Sequence, residues 1–113
     1  MTDELDASSC PTCGLVVVPP EPIGCERCGA PAAELRPTSV ASTGMVIAAA
    51  VVHEHARPEP PTPFVVVEVR LDDGPVVRSL LRGAEPGDVA VGDRVAGQFE
   101  GGRFAFVAAA VAA

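Results

Sequence analysis

Two copies of one short pattern, Cys10-Pro11-Thr12-Cys13-Gly14 and Cys25-Glu26-Arg27-Cys28-Gly29, hold all four cysteines of the chain. Eleven residues, Gly14 to Gly24, separate them. Two residues between thiols let both sulfurs of one turn reach a single ion. The glycine after each second cysteine permits the tight backbone that aims amides at the sulfurs. Two such turns supply four thiolates for a tetrahedral site, with zinc as the expected occupant on Cys10, Cys13, Cys25 and Cys28. An iron site of the rubredoxin type and a pair of disulfides are the alternatives that the spacing leaves. A four-cysteine shell has no open coordination position, so the metal is expected to be structural. Its task follows from size: residues 10–36 are too few to bury a core, and metal binding would supply their folding energy.

Composition says what the rest can become. Hydrophobic residues make up 48% of the 113, but two thirds of them are Ala or Val, 18 of each, and there is no Trp or Tyr. Such side chains bury little area apiece, so the core is thin for the length. Valine favours strands, and 12 Pro with 11 Gly favour turns, which argues against a helical bundle. The net charge is −7 and all eight cations are Arg, with an isoelectric point near 4.6. Nucleic-acid affinity comes mainly from cation–phosphate contacts, so this balance disfavours a nucleic-acid partner, and an anionic membrane surface for the same reason. No run approaches the ~20 apolar residues of a membrane span. The start, Met1-Thr2-Asp3-Glu4, is acidic where a signal peptide is basic, so a cytoplasmic location is expected. There, paired cysteines are metal ligands more often than disulfides.

Three segments follow. Residues 1–9 are polar and acidic and predict a disordered arm. Residues 10–36 are the cysteine segment, with Leu15 to Val18 as its strand. Residues 37–113 carry Val-rich runs cut by turns. Met45 to His55 reads as a strand, and the four prolines of Arg57-Pro58-Glu59-Pro60-Pro61-Thr62-Pro63 make the next stretch a loop. Phe64 to Leu71 and Val76 to Arg82 form a hairpin about Asp72-Asp73-Gly74. A three-residue loop pairs Val65 with Leu81, Val67 with Ser79 and Val69 with Val77 on one apolar face, and sets Glu68 opposite Arg78 on the other. Gly74 then takes the left-handed position. A second hairpin turns at Gly101-Gly102, pairing Glu100 with Arg103 and Phe99 with Phe104. These strands predict a small β-barrel.

Catalytic patterns are missing. The acidic residues are scattered, no general acid–base couple or nucleophile elbow can be read, and no glycine-rich phosphate loop opens a helix. His53-Glu54-His55 sets two histidines on one side of a strand end, which fits an exposed terminus before the Pro-rich loop better than a second metal site. No catalytic residue is expected in this chain.

From Cys10 to Gly29, a knuckle, an apolar strand, Pro19-Pro20 and a second knuckle together resemble the rubredoxin-like zinc ribbon of a family that partners thiolases, long known as a domain of unknown function. In that family the ribbon is followed by an OB-fold. The order of the remainder is similar: a strand opening at Gly44-Met45-Val46, a Pro-rich loop, a strand closing on Leu71 with an acidic turn, and Val91-Gly92-Asp93-Arg94-Val95 leading into a late strand. The resemblance implies a mostly β chain, with an N-terminal zinc ribbon at 10–36 and a five-stranded OB-fold barrel at 37–113. It also implies a non-catalytic accessory subunit of a thiolase, aldolase or synthase complex acting on acyl-CoA, hence a hetero-oligomer with a thiolase-like catalytic subunit. If the barrel shares in a CoA channel, Arg57, Arg78 and Arg82 are the candidate phosphate contacts. The apolar end, Phe104 to Ala113, is expected to meet a partner. A nucleic-acid-binding ribbon/OB protein and a small rubredoxin-like electron carrier remain as alternatives.

Overall fold

The computed structural model describes residues 3–83 and 85–109. Among them the regular elements are strands and two short 3₁₀ turns, Ala32–Glu34 and Pro86–Asp88. No helix among them is long and apolar enough to cross a membrane.

The acidic start differs from the expected arm: Glu4–Ser9 forms strand β1. Leu5 and Ala7 are buried while Glu4 and Asp6 face solvent, the two-residue alternation of a half-buried strand. Composition averages over that alternation, and the partner that stabilises the strand begins only at Arg36, so nothing local announces it. Met1 and Thr2 of the expected arm lie outside the described residues. Strands β2 (Val16–Val17) and β3 (Arg36–Ala41) flank β1 in an antiparallel sheet of order β2-β1-β3. The boundary expected between residues 36 and 37 therefore falls inside β3, which pairs with β1 from Glu4↔Ala41 to Ser9↔Arg36.

The remaining strands are β4 (Thr43–Val52), β5 (Phe64–Leu71), β6 (Val76–Arg82), β7 (Arg94–Glu100) and β8 (Arg103–Ala108). They close a five-stranded barrel of order β4-β5-β6-β8-β7, so the fold is mostly β as the sequence implies. The first hairpin has the three-residue register, with Val65↔Leu81, Val67↔Ser79, Glu68↔Arg78 and Val69↔Val77, and Gly74 sits at φ 112°. The second pairs Glu100↔Arg103 and Phe99↔Phe104. Strand β4 starts at Thr43 and stops at Val52, which leaves His53 and His55 in the loop.

One core runs through both halves. Val65, Val67, Val69 and Leu71, the inward side of β5, cluster with Val46, Val95 and Phe106, and the same cluster contains Leu5 and Val40 of the three-stranded sheet. Phe106 is fully buried, and Phe104 packs edge-on against it at 5.0 Å between ring centroids. Gly97 makes room for that arrangement, since a Cβ there would collide with the Phe104 ring and the Ser42 hydroxyl. Of the apolar end expected to meet a partner, Phe106 is thus core, and residues 110–113 lie outside the described residues.

Two polar contacts hold the closure. Ser42 is buried, and its hydroxyl donates to the carbonyls of Asp3 and Gly97. At the other end of the seam, Arg94 donates from Nη1 and Nη2 to the two oxygens of Asp72 at 2.8 and 2.7 Å, and Thr43 Oγ1 donates to Asp72 Oδ2 at 3.0 Å. The Arg94 hydrogen bonds hold the Asp72 carboxyl below its ordinary value against the opposing effect of burial, with smaller help from Thr43 and from the Arg94 charge.

Two outcomes follow from this packing. Phe106→Ala should cost about 3–5 kcal/mol, a large share of the ~5–15 kcal/mol that a small domain has; urea unfolding at neutral pH measures it, and a loss below about 1 kcal/mol would place the ring outside the core. The Asp72 contribution is present above the ordinary carboxylate range of ~3.9 and is lost as pH falls through the depressed folded value. Wild type should therefore outlast Asp72→Asn at neutral pH in thermal melts. The gap should close in acid and shrink with added salt, because the pair is half-exposed.

Candidate metal centre

Each knuckle is built by the same two backbone bonds. In the first, the Gly14 amide donates to the Cys10 carbonyl at 2.8 Å and the Cys10 amide to the Leu15 carbonyl at 2.8 Å. In the second, the Gly29 amide donates to the Cys25 carbonyl at 2.9 Å and the Cys25 amide to the Ala30 carbonyl at 2.8 Å. Gly14 and Gly29 take φ of 81° and 79°, a conformation that other residues rarely adopt. The repeated sequence is therefore a repeated structure.

The knuckles face each other. Cys10 Sγ lies 3.6 Å from Cys28 Sγ, and Cys13 Sγ lies 3.6 Å from Cys25 Sγ. All four sulfurs fall within 4.8 Å of one another. A tetrahedral ion with metal–sulfur bonds of ~2.3 Å needs sulfurs ~3.8 Å apart. The cluster can therefore hold a metal ion, and all four cysteines are free thiols rather than disulfide partners. Cys10 and Cys25 are buried, Cys13 is half-buried and Cys28 is exposed. Their small apolar cluster contains only Ala30, with Cys13, Leu15 and Leu35 packed against it.

The local field suits a cation. The Cys28 amide lowers the Cys25 thiol to about 6 against a burial effect that raises it, and the Cys13 amide likewise lowers Cys10. Cys28 is pushed up to about 12: its hydrogen bond from the Ala30 amide favours the thiolate, but the Cys10 thiol, burial and the other two thiols outweigh it. Backbone amides can support the first thiolates, whereas four negative sulfurs at this spacing require a positive ion among them.

The three arginines singled out from the sequence do not converge. Arg57 is exposed in the Pro-rich loop. Arg78 is paired with Glu68 at 3.5 Å and borders a hollow of about 360 Å³ with Ala50 and Val66. Arg82 is paired with Glu100 at 3.0 Å and borders a different hollow, of about 560 Å³, with Pro60, Pro61 and Arg103. Arg103 is the residue that sequence reasoning missed there. The parallel contact of β8 with β6, Leu81↔Phe106 and Arg82↔Val107, brings the two cations to one hollow, and no local pattern signals it. Among the described residues the four cysteines are the only metal-ligand cluster, so the histidines form no second one. His55 instead bonds the Glu59 carbonyl at 3.1 Å and packs edge-on against Phe64.

A cysteine cluster held by two knuckles, set beside a closed five-stranded barrel of OB order, defines the class. The family model described as the C-terminal OB-fold domain of ChsH2 matches residues 38–100, more than half of the chain, and the chain belongs to that family. Among solved structures, a chain described as Ltp2-ChsH2(DUF35) aldolase is similar with a TM-score of 0.77 and 25% identity, over 93% of this chain and 84% of that one. A DUF35-family protein of unknown function from Sulfolobus solfataricus shares the fold, with a TM-score of 0.66 and 14% identity over 94% of this chain and 76% of that one. No curated protein matches the chain.

Proposed function

We propose that this chain is a non-catalytic accessory subunit of a thiolase-superfamily enzyme complex acting on acyl-CoA, with a structural zinc on Cys10, Cys13, Cys25 and Cys28. The observation that carries the reading is the likeness to the Ltp2-ChsH2(DUF35) aldolase chain, which extends over 93% of this chain and so includes the cysteine segment as well as the barrel. The four-thiolate set is closed, so a bound ion would cross-link the knuckles and offer no position to a substrate. This subunit then supplies shape and contacts, while its catalytic partner supplies the reacting groups.

A part in the CoA path is the finer form of the proposal. Arg82 is the best candidate, because Arg103 and the Pro-rich loop share its hollow. Arg57 lies on the same loop, and Arg78 is the weakest because Glu68 already engages it.

Three measurements test these points. Purified protein should carry one zinc per chain by elemental analysis. Cys25→Ser should lose it and abolish the amide protection of residues 10–35 while the barrel keeps its own; iron, or no metal, would overturn the assignment. Tagged protein drawn from its native cell should bring down a thiolase-like chain identifiable by mass spectrometry, and its absence from a stoichiometric complex would overturn the accessory role. In that complex, Arg82→Ala should raise the apparent KM for acyl-CoA about ten-fold, the effect of losing one charge-assisted contact of ~1.4 kcal/mol, with the barrel still folded. An unchanged KM would remove Arg82 from the CoA path.

A further inference from the structure

The barrel's outward face across β4, β5 and β6 lacks the polar character of a face that meets water. Strand side chains alternate, so the registers Met45↔Arg70↔Val76, Ala48↔Glu68↔Arg78 and Ala50↔Val66↔Leu80 lie in successive rows on the outside. An antiparallel sheet with one solvated face shows polar residues there. Here the outer rows are mostly apolar, and Met45 and Val76 are 44% and 43% exposed. Strand β5, Phe-Val-Val-Val-Glu-Val-Arg-Leu, turns Phe64 and Val66 outward at one end and Glu68 and Arg70 at the other, so its outer side is apolar with a charged border. Three rows at about 6.6 Å each make a strip ~20 Å long and two strand spacings, ~10 Å, wide. That is larger than a small ligand needs and is a fraction of the ~800 Å² that each partner buries in a standard protein interface.

Charge selects the occupant. The chain carries −7 overall, yet this face holds three arginines: Arg78 is paired with Glu68 and Arg82 with Glu100 of β7, which leaves Arg70. Arg70 is exposed, and among the described residues no carboxylate pairs with it. A second copy related by a two-fold axis would bring a second Arg70 and no free carboxylate to meet it, because such an interface uses the same patch twice. A partner with an apolar centre and carboxylates at its border meets both properties.

We propose that the outer face of β4–β5–β6 is the surface that docks this chain onto its catalytic partner, which presents there an apolar patch bordered by carboxylates. The identity of the partner rests on the accessory-subunit reading above, whereas the face and its chemistry rest on the registers and charges of this chain.

Hydroxyl-radical footprinting of the native complex against the full chain alone tests the face. Met45, Val66 and Leu80 should be oxidised several-fold more slowly in the complex, while Ile23 and Val91, exposed elsewhere, should keep their rates. Val66→Glu should weaken association by ~30-fold or more, the effect of a charge placed in an interface centre. Arg70→Ala should weaken it less and flatten its salt dependence. Ala50→Glu, at an exposed position, repeats the first test should Val66→Glu lose its barrel melting transition. Unchanged footprints at all three residues, full association of both Glu variants, or a homodimer that Val66→Glu dissociates would each overturn the proposal. A thiolase-like chain present with this face unprotected refutes the face and keeps the accessory role. A protected face under some other chain refutes the accessory role and, with it, the partner named here.

Discussion

Gly44 and Met45 of β4 are paired with Leu71 and Arg70 of β5 on one side and with Val95 and Arg94 of β7 on the other, and this double pairing turns a meander of strands into a closed barrel. It demands a residue without a side chain, because a Cβ at Gly44 would strike the Arg70 carbonyl and a Val69 methyl. The seam is short: three residue pairs join β4 to β7. The fork between Arg94 and Asp72 closes it from outside, where a bidentate guanidinium–carboxylate pair fixes direction as well as distance. Val46 then bridges past the strand end, donating to the Asp93 carbonyl and accepting from the Gly92 amide at 2.9 and 2.8 Å.

The cysteine segment depends on the same place in a different way. Ser42 is the residue between β3 and β4, and its buried hydroxyl joins the Asp3 carbonyl just before β1 to the Gly97 carbonyl of β7. A buried hydroxyl without partners costs roughly 1–3 kcal/mol, so the junction is held in one geometry. Strand β1 continues directly into Cys10, and Leu5, Ala7 and Val40 share the barrel's core. The sheet that carries the knuckles is therefore anchored by apolar packing, while the knuckles beyond it have scarcely any core of their own. A metal bound by the four thiols would stabilise the knuckles, and the anchor does not need it.

Legibility in the sequence follows the range of the contact. The hairpins of β5–β6 and β7–β8 were readable to the residue because turn chemistry at Gly74 and Gly101-Gly102 is local and sets the register on both sides. The clustering of the four cysteines was readable because each thiol pair sits within one turn. Strand β1, the β4–β7 seam and the parallel β6–β8 contact were not, since each joins residues far apart in the chain and no short window contains both partners. Acidic composition concealed β1, whose carboxylates occupy only its outer positions. The outward face of β5 is an intermediate case: alternation is visible in the register, but with apolar residues on both sides it assigns one set to the core and leaves the other without a role.

Small side chains connect these features. Valine and alanine give strands that pack at close distance about one bulky residue, Phe106, and a barrel built this way gains little burial per residue. The same residues on the outside make a surface smooth enough to be covered by another protein. A chain with few large apolar residues has two remedies for a thin core: a metal where no core can form, and a partner over a sheet whose outer face is also largely apolar. The geometry of the cysteine knuckles suits the first and the β4–β6 face fits the second. The excess of carboxylates elsewhere opposes indiscriminate contacts, since like charges repel a second copy wherever the arginines are absent.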